Sequence, residues 1–235
     1  MPAMNDVTNP TTPITIDVYA DVVCPGGSTV YDAPEEGAMA TVRAGDRQVL
    51  LVVDVQVGVV QGTWEGERVV GNVVRAVERS RDAAVPVVWV QHEDDELPRG
   101  TDAWQWAPQL APADGEAVVH KRYNSAFEDT ELEVVLASLG ATHVVLTGVA
   151  TNWCVRATAY GALDRGYDLT LVKDAHTTEP IEFSDGRVVA AEDIVRELNV
   201  AMSWLTFPGR STRTVAVEGL TFGDAEPPAT PQHRS

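Results

Sequence analysis

The feature that most constrains this chain is a set of short runs that are apolar at nearly every position. Residues 48–54 contain Val49-Leu50-Leu51-Val52-Val53. Residues 85–91 follow Val85 and Pro86 with Val87-Val88-Trp89-Val90, and residues 143–147 hold Val144-Val145-Leu146. A strand without polar alternation has no face left for water, so its sheet must be covered on both sides. The segments between supply the cover. Val69, Val70, Val73, Val74 and Val77 form one stripe of a helix over residues 67–83. Leu132, Val135, Leu136 and Leu139 mark a second helix that stops at Gly140. Val155, Ala159, Ala162 and Leu163 mark a third that stops at Gly166, and Ile194, Leu198, Ala201 and Met202 a fourth. Further strands are read at residues 117–121 and 168–173, with an edge strand at 212–217. Strand–helix alternation implies right-handed crossovers and a three-layer α/β/α domain around a mostly parallel, Rossmann-like sheet.

The 235 residues allow one such domain, placed at residues 46–223. The excess of 35 acidic over 17 basic residues argues against nucleic acid and anionic membrane surfaces as partners. Two cysteines cannot build a disulfide framework, and no apolar run is long enough to span a bilayer. A reducing, cytoplasmic setting is expected. Residues 224–235 read as a disordered tail. Residues 1–45 read as an appended, loose segment. Within it, Asp21-Val22-Val23-Cys24-Pro25-Gly26-Gly27 resembles the active-site turn of thioredoxin-like oxidoreductases, but Gly27 stands where the second cysteine belongs. No chemistry is assigned to Cys24.

Ligands of open α/β sheets bind outside the carboxyl ends of the strands. Three reactive side chains fall at such ends. Asp54 closes the first strand, Lys121 closes the third, and Cys154 sits where the fourth gives way to a helix. Singly, they read as a cap, a solvated lysine and a small buried hydrophobe. Together, they read as a catalytic triad. An Asp–Lys pair can stay charged while partly buried, and Lys121 with the helix start should favour thiolate at Cys154. Gln56, two residues past Asp54, could bond substrate or Lys121. His92, Phe127, Asn152 and Trp153 are further candidates for lining the pocket. Trp104 and Trp106 lie on the long loop 93–115, a length usually kept for function or motion.

Several segments resemble the isochorismatase-like cysteine hydrolases. They are Asp54-Val55-Gln56, Lys121-Arg122-Tyr123-Asn124-Ser125-Ala126-Phe127, and Gly148-Val149-Ala150-Thr151-Asn152-Trp153-Cys154. Residues 161–168 and Asp174-Ala175-His176-Thr177-Thr178 complete the set. Residues 88–95 and 127–130 are similar to the streptothricin hydrolase-type amidohydrolases, which open a lactam. The resemblance implies the isochorismatase-like hydrolase fold, with Cys154 as nucleophile, Asp54 as general base and acid, and Lys121 as the group that orients and charges the pair. It also implies a cis peptide at Val149–Ala150, with the backbone N–H groups of Ala150 and Cys154 forming the oxyanion hole. The implied substrate is a small amide or lactam, with no cofactor, and the implied assembly is a homodimer or homotetramer. Nicotinamidases of the superfamily hold zinc through an aspartate and two histidines. Gln91-His92-Glu93-Asp94-Asp95 offers only one histidine, so no metal is expected. The competing readings are vinyl-ether cleavage of the isochorismatase type and a non-catalytic member of the fold.

Overall fold

The computed structural model describes residues 42–223. The expectations for Cys24, for residues 1–41 and for the tail from Asp224 lie outside the described residues.

Six parallel strands form the main sheet: β1 (Gln48–Val53), β2 (Val87–His92), β3 (Ala117–Lys121), β4 (His143–Val149), β5 (Asp168–Thr177) and β8 (Thr212–Val215). Their spatial order is β3-β2-β1-β4-β5-β8. Alternate residues of β1 face opposite layers. Val49, Leu51 and Val53 pack with Leu132, Leu136, Ala159, Leu163 and Leu198. These belong to helices α3 (Leu132–Ser138), α4 (Arg156–Asp164) and α5 (Ala191–Trp204). Leu50 and Val52 pack with Val69, Val70, Val73 and Val77 of α2 (Gly66–Asp82). Every one of these side chains is at most 3% exposed. Each valine and leucine among them contributes roughly 1.5–3 kcal/mol by leaving water. The fully apolar runs are thus the layer sandwiched between two sets of helices.

The direction of strand addition reverses between β1 and β4, which opens a crevice beyond their carboxyl ends. Gly148 makes the close approach there possible. It pairs with Val53 at φ +141°, and a Cβ would sit 2.1 Å from the Val53 carbonyl oxygen.

The structure departs from the sequence reading in several places. The segment read as a polar turn, Asp174 to Thr178, is largely strand. After a register shift between Leu146 and Gly148, β5 continues to Thr177 and pairs His176 with Gly148 and Thr177 with Val149. The helix read from Val155 begins as a wider π turn, Thr151–Val155, before α4. A single helical turn, α1 (Val57–Val60), and a small hairpin of β6 (Ile181–Glu182) and β7 (Val188–Val189) were not anticipated. Residues just before β1 are anchored: Arg43 donates to the Arg165 carbonyl and stacks over Tyr167. Among the described residues, no helix is long and apolar enough to cross a membrane.

Candidate active site

Asp54 is the first residue past β1. Its backbone turns through φ +52°, and its N–H donates to the Val90 carbonyl at 2.8 Å. That turn delivers the carboxylate under the crevice, where Asp54 is 1% exposed. Lys121 ends β3, two strands away, and is equally buried. Its ammonium lies 2.7 Å from Asp54 Oδ2 and 3.2 Å from Cys154 Sγ. It also lies 3.1 Å from the Tyr123 carbonyl oxygen and 3.2 Å from His92 Nδ1. An ammonium has three protons, so four neighbours compete for them.

Burial alone would lower the Lys121 pKa. The facing Asp54 carboxylate and Cys154 sulfur outweigh burial and raise it above the usual lysine value. The ammonium can only donate, so His92 Nδ1 must accept. The ring proton then sits on Nε2, aimed at Asp94 Oδ2 at 2.9 Å. That bond from His92 is the main cause holding Asp94 below the usual carboxylate range. Among the described residues, neither oxygen of Asp54 accepts a directed hydrogen bond. The Lys121 ammonium faces it and the Cys154 thiol lies within reach, which leaves lone pairs free to take a proton.

Cys154 lies within the π turn, half-buried, with the Asp54 side chain in hydrogen-bonding reach. Burial, then the Asp54 charge, push its thiol up to about 12, against the opposing pull of Lys121. The expectation of a resting thiolate is therefore corrected. The carboxylate beside the sulfur outweighs the cation, and the proton stays on sulfur until a base removes it.

The other residues expected at the site divide. The Val149–Ala150 bond is cis, and Ala150 begins the turn that carries Cys154. Trp153 is 58% exposed beside Cys154. Asn152 Oδ1 accepts a bond from the Thr178 hydroxyl at 2.6 Å. Gln56 is fully buried and holds backbone instead of Lys121. Its amide nitrogen donates to the carbonyls of His92 and Trp104, and its oxygen accepts from the His92 N–H. Phe127 is 7% exposed and packs in the core, stacked near Tyr167 and under Arg165. Trp104 lies near His120, and Trp106 packs edge-on to Trp89. The Tyr123 carbonyl and the Thr151–His176 bond at 2.9 Å escaped the sequence reading. Thr151 and His176 lie in recognised motifs, but nothing in the spacing foretold their contact. Among the described residues, no cluster of three His, Cys, Asp or Glu side chains could hold a metal. His92 and Asp94 face each other without a third donor.

With this geometry in place, the chain can be set beside known proteins. Residues 48–198 match the Isochorismatase domain, and the chain belongs to that family. It is 35% identical to streptothricin hydrolase of Streptomyces noursei over 170 residues, 68% of this chain and 64% of that one. It is 31% identical over 123 residues to maleamate amidohydrolase of Pseudomonas putida, 47% of this chain and 58% of that one. Each match thus spans less than two thirds of the relative's length. A crystal structure of an isochorismatase from Pseudomonas putida superposes with a TM-score of 0.68 at 27% identity. That match covers 74% of this chain and 90% of the other.

Proposed function

We propose that this protein is a cysteine-dependent hydrolase that cleaves the carbon–nitrogen bond of a small amide or lactam through an acyl-thioester. The observation that carries the reading is the meeting of Cys154 Sγ with Lys121 Nζ at 3.2 Å, and of Nζ with Asp54 Oδ2 at 2.7 Å. Two amide-cleaving relatives, streptothricin hydrolase and maleamate amidohydrolase, point the same way.

Asp54 takes the proton from the Cys154 thiol as Sγ attacks the carbonyl carbon. Charge on the carbonyl oxygen is met by the backbone N–H groups of Ala150 and Cys154. As the carbon–nitrogen bond breaks, Asp54 returns its proton to the leaving nitrogen, and the acyl group stays on sulfur. Water, giving a proton to Asp54, attacks the thioester. The acid departs and the proton goes back to sulfur. Lys121 keeps this proton traffic local. Its fixed positive charge favours the carboxylate before transfer and the thiolate after it. Vinyl-ether cleavage needs no thiol nucleophile, so a Cys154 sulfur held at Lys121 and within reach of Asp54 favours amide chemistry. Action on a small molecule, as a cytoplasmic homodimer or homotetramer, completes the proposal.

The test is intact-mass spectrometry of the protein mixed with a panel of amides and lactams, Cys154→Ala being the control. An acyl adduct is expected on the native chain and absent from the variant. Turnover of isochorismate that survives Cys154→Ala would overturn the amide reading.

A further inference from the structure

Outside the Asp54–Lys121–Cys154 cluster, the described chain buries a titratable ring that the proposed chemistry does not use. His176, near the end of β5, is 1% exposed. Its two nitrogens have fixed and different partners. Asn199 on α5 donates through its amide nitrogen to the Lys173 carbonyl at 2.9 Å, which turns its oxygen toward His176 Nε2 at 3.1 Å. The Asn199 oxygen can only accept, so Nε2 carries the ring proton. Nδ1 then has a bare lone pair, and the Thr151 hydroxyl must donate to it at 2.9 Å. Burial presses the His176 pKa down to about 4, so the ring is neutral, as this pattern requires.

Thr151 is fully buried and is the first residue of the π turn that carries Cys154. The next residue, Asn152, is tied to the same strand end by the Thr178 hydroxyl at 2.6 Å. Two adjacent residues of the nucleophile turn are thus fastened to residues 176 and 178. The main-chain pairing of Gly148 with His176 and Val149 with Thr177 sets these groups side by side.

We infer that His176 is a positioning residue: held in one tautomer by Asn199, it pins Thr151 and thereby keeps Cys154 Sγ against Lys121 and within reach of Asp54. This rests on the reading of Cys154 as nucleophile. Its physical basis is that burial and the neighbouring carboxylate hold the thiol up, and both depend on where the turn sits. A loosened turn lets the sulfur reach water and leave Asp54. The thiol then titrates closer to the ordinary cysteine range while catalysis weakens.

The test uses Thr151→Val, which removes the hydroxyl and keeps the shape, with Thr151→Ser as rescue. The readout is the rate of Cys154 alkylation by iodoacetamide from pH 7 to pH 10, which needs no substrate. In the native protein this rate is expected to climb across the whole window. In Thr151→Val it is expected to level off toward the top of the window, and Thr151→Ser is expected to restore the climb. With any amide that the native protein turns over, kcat of Thr151→Val falls by about a hundredfold while KM moves little. Asn199→Leu, half-exposed and so less prone to disturb folding, frees the tautomer and shifts both readouts the same way by less. A Thr151→Val protein with a native alkylation profile overturns the inference, as does a Thr151→Ser protein that behaves like Thr151→Val. If no amide is turned over by any form, the alkylation profile still decides, so the inference and the proposed activity fail separately.

Discussion

Two carboxylates of this molecule, Asp54 and Glu116, both face a cation, and they are built in opposite ways. Glu116 accepts two bonds from the Arg81 guanidinium, at 2.8 and 2.9 Å. It takes two more, from the Trp89 indole N–H at 2.7 Å and the Ala113 N–H at 2.8 Å. Burial works against its charge, but these four donors win and bring its pKa down to about 2. Asp54 is buried more deeply, yet it faces one ammonium at 2.7 Å and the Cys154 thiol, and among the described residues no backbone N–H donates to its oxygens. A carboxylate that accepts four hydrogen bonds is a structural anion. One with a single cation and free lone pairs can still receive a proton. Satisfaction of hydrogen bonds, more than burial or ion pairing, separates the two roles.

The largest expected effect tests that separation directly. Asp54→Asn cannot accept the thiol proton, and kcat on any amide the native protein cleaves should fall by about a thousandfold or more. Glu116→Gln should leave kcat within about twofold. Steady-state kinetics on the two purified variants checks both. Equal losses would show that the charge pattern of the whole domain, and not a free carboxylate, carries the activity.

Next in size is what each cation does for stability. Lys121→Met leaves a buried Asp54 with no counter-charge, at an expected cost of about 3–5 kcal/mol. The double variant Asp54→Asn with Lys121→Met removes the stranded charge and should regain much of that loss. Arg81→Met on the solvent side should cost only about 1 kcal/mol, because its side chain is 38% exposed. Urea unfolding of the four proteins measures the differences. A Lys121→Met protein as stable as Arg81→Met would erase the contrast between the sites.

How far the sequence announced this arrangement follows from the range of each signal. The apolar runs of β1 and β4 and the valine stripe of α2 are local, and they suffice to specify layers and a parallel sheet. Asp54, Lys121 and Cys154 were legible as strand-end residues. Their convergence in one crevice was legible too, but not which atoms touch, since β3 lies two strands from β1 and only the long lysine stem closes the gap. The thiol was misjudged for a related reason. The turn and the cation are visible in sequence and motif, but the burial that raises the thiol most exists only in the fold, and the carboxylate that adds to it lies a hundred residues earlier. Gln56 and Phe127 carry the chemistry of pocket residues, and nothing local reveals that one clasps backbone and the other fills the core. The continuation of β5 through His176 depends on a register shift against β4, which polar residues such as Asp174 and Thr177 disguise as a turn.

The smallest effect sharpens the Glu116 side of the comparison. Its folded pKa, about 2, lies below the ordinary value of 4.5. A carboxyl whose pKa is depressed by folding binds fewer protons in the native state than in the unfolded one. Its stabilisation is therefore complete above pH 4.5 and drains away as pH falls from 4.5 toward about 2. With the Arg81 partner open to solvent, the contribution at pH 7 is about 1–2 kcal/mol. Glu116→Gln should lose that amount at pH 7 and progressively less through the acid window, until variant and native protein unfold together near pH 2. The gap should also narrow in high salt, which screens a half-exposed guanidinium. Denaturant unfolding at a series of pH values measures the gap. A difference that stays constant from pH 7 down to pH 2 would mean that Glu116 contributes shape and not charge, and the distinction between the two carboxylates would have to be drawn elsewhere.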